Sequence, residues 1–168
     1  SDGLLTVGRG SRIPLRFDKV LRLFVYWKEA LRRTDLDLSV IQFAADWSYA
    51  GHVSYTNLSD SGIAHSGDIQ SAPHGAAEFI DITLNKLDPQ VRYLATQVYR
   101  YAGDAFADML CHSGWMVRDK VDARYKSFDV KTVEQSFDLN GHGGYCLPLV
   151  VDLEASEIII TDLYMGSK

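Results

Sequence analysis

Oxygen-bearing side chains crowd residues 35–84. The stretch opens Asp35-Leu36-Asp37-Leu38-Ser39, closes Glu78-Phe79-Ile80-Asp81-Ile82-Thr83-Leu84, and holds His65-Ser66-Gly67-Asp68 between them. Two strand-like runs with acidic ends, facing each other across a polar loop, would bring carboxylates, hydroxyls and backbone carbonyls to one end of a sheet. That is the chemistry of a hard cation; calcium takes roughly six to eight such oxygens. Asp35 and Asp37 lie two apart, hence on one face of a strand that has already begun. They read equally as turn residues whose carboxylates accept backbone N–H groups.

His65, Ser66 and Asp68 also invite a hydrolase reading. A nucleophilic serine needs a base within hydrogen-bond reach, a third group orienting that base, and an oxyanion hole. Adjacent His and Ser in a loop rarely point at each other productively, and no Gly-x-Ser-x-Gly elbow is present. His52, His65, His74, His112 and His142 lack the i, i+4 pairing of a helical zinc motif, and Cys111-His112 cannot share one face of a strand. A zinc site is not expected. Gly141-His142-Gly143-Gly144 leads into the strand-like run at Tyr145, so it reads as a hairpin turn and not as a phosphate cradle opening a helix.

These residues need elements to hold them. A chain of 168 residues is long enough for one domain with a proper core, and residues 1–168 read as a single domain. Its composition, 46% hydrophobic and 23% charged, is that of a folded globular protein and argues against disorder. A formal charge of −5 without a basic stripe disfavours nucleic acid as a partner. The one basic cluster, Lys28 to Arg33 with Glu29 inside it, reads as a solvated loop. No apolar run is long enough to span a bilayer as a helix, so no membrane role is expected. Two distant cysteines, Cys111 and Cys146, are too few for a disulfide framework or a zinc module and suggest buried thiols in a reducing compartment. The opening Ser1-Asp2-Gly3 is expected of a domain excised from a longer protein.

In chain order, Gly8 to Pro14 is turn-like and Val20 to Trp27 a strand rich in branched and aromatic residues. Leu38 to Phe43 fits a strand buried on both faces, Ala45 to Ser48 a turn, Tyr49 to Tyr55 a short strand and Asn57 to Pro73 a loop. Glu78 to Leu84 alternates cleanly until Pro89 and its neighbours break the pattern. Arg92 to Tyr101 is the longest period-two run, with Tyr93, Ala95, Gln97, Tyr99 and Tyr101 on one side and Leu94, Thr96 and Val98 on the other. One or two helical turns are expected over Gly103 to Leu110, strands over Gly114 to Arg118 and Thr132 to Leu139, and a final hairpin of Tyr145 to Asp152 with Glu157 to Tyr164. The sum is an all-β, two-sheet β-sandwich with short helical turns. The tyrosines and tryptophans are expected in its core, not on a stacking platform.

Taken together, the motifs resemble the TerD family of tellurium-resistance and stress-response proteins. Four fall in order: Gly8 to Pro14, Asp35 to Ser39, His65 to Asp68, and Glu78 to Leu87. Gly114 to Asp119, Thr132 to Leu139 and Pro148 to Leu153 resemble a divergent branch that ends long bacterial proteins also carrying a RING-like zinc module. The resemblance implies a TerD-like β-sandwich, a cytoplasmic bacterial setting, no enzymatic activity and calcium bound by acidic loops. Asp35 and Asp37 fall on the family's acidic strand start, and Asp68 on its Gly-Asp-Asn turn, where this chain has Ile69 third. The family's acidic run ending Asp-Asp-Glu is here Ala76-Ala77-Glu78. Losing two carboxylates should abolish one ion or weaken it toward roughly 10⁻⁴ to 10⁻³ M. The expectation is therefore at most one calcium, held by Asp37, Asp68 and backbone carbonyls with Asp35 nearby, and with Asp60 and Glu78 as further oxygens.

Three functions follow from these residues. The first is a metal-responsive scaffold whose ion fixes the acidic loop for a protein partner or for other domains of the same polypeptide. The second is a metal-free interaction module that meets its partner through a sheet face. The third, an enzyme using His65, Ser66 and Asp68, trails both.

Overall fold

The computed structural model describes residues 8–15, 20–67, 72–118 and 133–166. Its strands are β1 (Arg12–Pro14), β2 (Val20–Lys28), β3 (Asp35–Ala44), β4 (Tyr49–Val53), β5 (Ser59–Asp60), β6 (Ile63–His65), β7 (Ala76–Thr83), β8 (Val91–Ala102), β9 (Leu110–Arg118), β10 (Val133–Asp138), β11 (Tyr145–Asp152) and β12 (Glu157–Met165). They form two six-stranded sheets. Sheet A runs β1-β12-β11-β8-β3-β4 and sheet B runs β10-β9-β2-β7-β6-β5.

Alternation explains which side chains fill the space between the sheets. Leu21, Leu23, Val25 and Trp27 of β2 and Ile80 and Ile82 of β7 meet Leu36, Leu38 and Val40 of β3 and Leu94 and Val98 of β8 in one buried cluster. Trp27 is fully buried, and its indole N–H donates to the Thr34 carbonyl at 3.0 Å. Cys111 and Cys146 are both free and buried, as expected.

Four details differ from the sequence reading. Arg12–Pro14 forms a strand that pairs with Glu157–Ile159, because the turn before it brings Gly10 N–H to the Ile160 carbonyl. Ser59–Asp60 and Ile63–His65, expected as loop, form a hairpin at the edge of sheet B, turning at Gly62 with φ +84° and anchored by buried Ile63. The expected helix near residues 103–110 is one 3₁₀ turn, Phe106–Asp108, after which Leu110 already belongs to a nine-residue strand. Most consequential, β3 and β7 do not share a sheet: they lie in opposite layers.

The two layers also differ on their outer sides. Outside sheet B, Phe24, Phe79 and Met116 are buried, together with the Arg22–Asp81 ion pair. Outside sheet A, aromatic rings stand in solvent.

Candidate functional site

Of the residues proposed for calcium, the layering separates Glu78, Asp37 and Asp60. Glu78 shares its side of β7 with Ile80 and Ile82, so its carboxylate points between the sheets and is fully buried. There its Oε1 accepts the Leu38 N–H at 3.0 Å and lies 3.3 Å from His65 Nε2. The Leu38 carbonyl accepts from His65 Nε2 at 2.9 Å, while His65 Nδ1 accepts the Gly67 N–H at 2.8 Å. With Nδ1 accepting, the ring proton is on Nε2. The reason for this cluster lies in β4, whose pairing with β3 starts only at Val40↔Val53. Leu38 lies beyond that end, and Glu78 and His65 from the other sheet satisfy its N–H and C=O in place of a strand.

Asp37 points the other way. It is 6% exposed and lies on the outer face of sheet A, directly opposite Tyr99 of β8. Asp60 is tied to Gln42, whose Nε2 donates to its Oδ2 at 2.8 Å. Gln42 is five residues beyond Asp37 in β3, about 17 Å at roughly 3.4 Å per residue. Asp35 starts β3, near Asp37 in the chain. Asp68 lies outside the described residues. Among the described residues no group of three or more His, Cys, Asp or Glu side chains is arranged to hold a metal ion. Asp37 lies on the outer side of sheet A and Glu78 points between the sheets, so the layering separates these two carboxylates.

Nor are His65 and Ser66 set up as base and nucleophile. Both His65 nitrogens are engaged with backbone groups, and Ser66 Oγ accepts the Phe79 N–H at 2.9 Å. Burial pushes the Cys146 thiol up to about 12 and that of Cys111 well above its ordinary value, so neither offers a thiolate near neutral pH.

What the structure does assemble is an aromatic face. Along β8 the alternation puts Leu94, Thr96 and Val98 inward and Tyr93, Gln97, Tyr99 and Tyr101 outward. The register of β3 slips between Asp35 and Leu36, which face Ala102 and Arg100, so Tyr101 is the extra residue of a bulge. Tyr101 is 57% exposed and Tyr99 42% exposed. The two rings meet edge to face at 5.8 Å, and Tyr145 of β11 stacks beside Tyr99 at 6.3 Å. Tyr55, Leu163 and Trp47 extend the exposed surface. Trp47 takes a left-handed backbone, φ 66°, and lays its indole on Tyr93 at 3.7 Å. The expectation that the aromatic residues belong to the core holds for Trp27 and Trp115 and fails here. Alternation assigned these tyrosines to one side of β8 without saying which side faced water.

Between Asp37, Ser39, Tyr55, Gln97, Tyr99 and Tyr101 lies a groove of about 350 Å³. Asp104, missed in the sequence, positions the rim loop: its Oδ2 accepts the N–H groups of Ala30, Leu31 and Arg32 at 2.9, 3.0 and 3.3 Å. Burial opposes its ionisation, and these amide hydrogen bonds outweigh burial and hold its carboxyl below the usual aspartate value. An Asp just after a Gly-terminated strand was the available signal.

No family model and no curated protein matches the chain. Solved structures do. A protein of unknown function, SAV2460, superposes with a TM-score of 0.63 and 19% identity over 89% of this chain and 93% of that one. A homologue of the telluride resistance protein TerD, SCO6318 from Streptomyces coelicolor A3(2), gives a TM-score of 0.63 and 14% identity over 89% of this chain and 92% of that one. The fold is TerD-like. At such identities the likeness covers the TerD-like sandwich and not the identity of individual side chains.

Proposed function

We propose that the chain is a non-enzymatic interaction module of a tellurium-resistance-type bacterial protein, and that it meets its partner through the outer face of sheet A. The asymmetry of the two outer faces carries this reading. Phe24, Phe79 and Met116 are buried outside sheet B, whereas Tyr99, Tyr101, Tyr55 and Leu163 are exposed outside sheet A. Contiguous exposed aromatic residues of this kind mark binding surfaces, where tyrosine contributes large area at small entropic cost. A bacterial cytoplasmic setting fits two buried thiols kept reduced. Among the described residues no helix is long and apolar enough to cross a membrane.

A calcium-responsive rim is the second reading, supported by one contact. His65 bonded to Leu38 brings residues 65–67 beside the chain neighbours of Asp37, and Asp68 follows directly. One experiment separates the two. A photoreactive residue replaces Leu163 on the sheet A face or Ser61 at the edge of sheet B, and cells are irradiated with and without a calcium chelator. The face reading predicts a discrete crosslinked partner from position 163, unchanged by chelation, and none from position 61. A crosslink that needs calcium, paired with a melting temperature raised by millimolar calcium and insensitive to it in Asp37→Ala, would favour the rim.

A further inference from the structure

Two arginines of this chain are held by one device. The Arg22 guanidinium forks onto Asp81, Nε to Oδ1 at 2.6 Å and Nη2 to Oδ2 at 2.8 Å, and lies 4.8 Å from the centre of the Phe79 ring. The Arg92 guanidinium forks onto Asp152 at 3.3 and 3.4 Å, meets Glu154 through Nη1 at 2.7 Å, and lies 4.8 Å from the Tyr93 ring. In the second case carboxylate and ring are directly opposite residues of β11 and β8, on the outer side of sheet A. Asp37 and Tyr99 are directly opposite residues of β3 and β8 on that same side. The cross-strand pair of carboxylate and ring that, with Glu154, holds Arg92 thus recurs six residues along β8, and there it lines the groove.

We propose that this groove receives an arginine side chain presented by a partner protein, its guanidinium against Tyr99 and Tyr101 and its N–H groups on Asp37. This rests on the reading of the outer face as the partner surface and gives that surface its chemistry. A guanidinium is planar, stacks on aromatic faces and presents five donors, more than a carboxylate alone can accept. Ser39, Ser54 and Gln97 line the groove and supply further acceptor oxygens. The volume, about 350 Å³, suits a side chain or a small ligand. Charge complementarity points the same way, since the carboxylate at the floor belongs to a chain of formal charge −5.

Titration of the intact chain with N-acetyl-arginine amide, followed by NMR of its tyrosine rings and backbone amides, tests the proposal. Saturable shifts at Tyr99, Tyr101 and Asp37 are expected at millimolar ligand, with the neutral isostere N-acetyl-citrulline amide weaker by about ten-fold or more. Asp37→Asn and Tyr99→Leu should each weaken arginine binding by a similar factor. Tyr101→Ala, at a position 57% exposed, should do so with an unchanged amide spectrum beyond its neighbours. Equal shifts from arginine and citrulline, or shifts indifferent to all three variants, would overturn the proposal, and N-acetyl-lysine amide binding as tightly as arginine would overturn the choice of guanidinium. Failure here, with the crosslink from position 163 intact, counts against the groove alone and leaves the face standing.

Discussion

Glu78 shows how a carboxylate that resembles a ligand by sequence becomes a staple in the fold. Its oxygen stands where a neighbouring strand would have supplied an acceptor for Leu38 N–H, and His65 supplies the matching donor. Glu78→Ala should cost about 2 to 3 kcal/mol in denaturant unfolding, since the buried Leu38 N–H loses its acceptor and the truncated side chain leaves a cavity. Glu78→Gln keeps the acceptor oxygen and should stay within about 1 kcal/mol of the parent. Asp104 makes a pH-dependent contribution. Its folded pKa lies below the unfolded value of about 3.9, so its stabilisation is fully present above that value and is lost as pH falls through the lowered one. Asp104→Asn should therefore lower the melting temperature by a few degrees at neutral pH, and the gap to the parent should narrow as acid scans fall below the unfolded value of about 3.9. The inward direction of Glu78 was legible: Glu78, Ile80 and Ile82 share one side of an alternating run. Asp37 was not legible in this way, since both neighbours of a two-faced strand are apolar and either face could have been the core.

At the scale of elements, β11 illustrates how a proline is accommodated inside a sheet. Pro148 cannot donate to the ladder, and the register against β8 shifts between Cys146 and Val150. The Thr96 hydroxyl fills the gap, donating to the Leu149 carbonyl at 2.9 Å and accepting the Leu149 N–H at 3.2 Å. Thr96→Val keeps the shape and leaves two buried backbone groups without a partner, so chemical denaturation should show a loss of about 2 kcal/mol. A valine variant as stable as the parent would show that the bulge does not depend on the hydroxyl. The long strands were legible because their alternation is local: β2, β8 and the β11–β12 hairpin all stand near their expected positions. The β5–β6 hairpin was not, because two- and three-residue strands leave no periodicity and Ser, Asp and Gly dominate their surroundings. The separation of β3 from β7 into different layers is a long-range pairing decision, and no local pattern encodes it.

For the whole molecule, the sandwich is TerD-like, and its two sheets differ in what they show to solvent. The acidic stretch that first suggested an ion is divided by the fold: Glu78 goes between the sheets, Asp60 goes to Gln42, and Asp37 goes to the floor of an aromatic groove. The face built by β8 and its neighbours gathers Tyr99, Tyr101, Tyr145 and Leu163, and on this surface the proposed function rests. Hydroxyl-radical footprinting tests it most directly, by comparing the purified chain with the same chain in the cells that make it. Tyr99, Tyr101 and Leu163 should be oxidised readily in isolation and protected several-fold in cells, while Leu58 and Lys86 near the edge of sheet B stay equally reactive. Equal reactivity of the three in both settings, or protection confined to Leu58 and Lys86, would rule out this face as the partner surface.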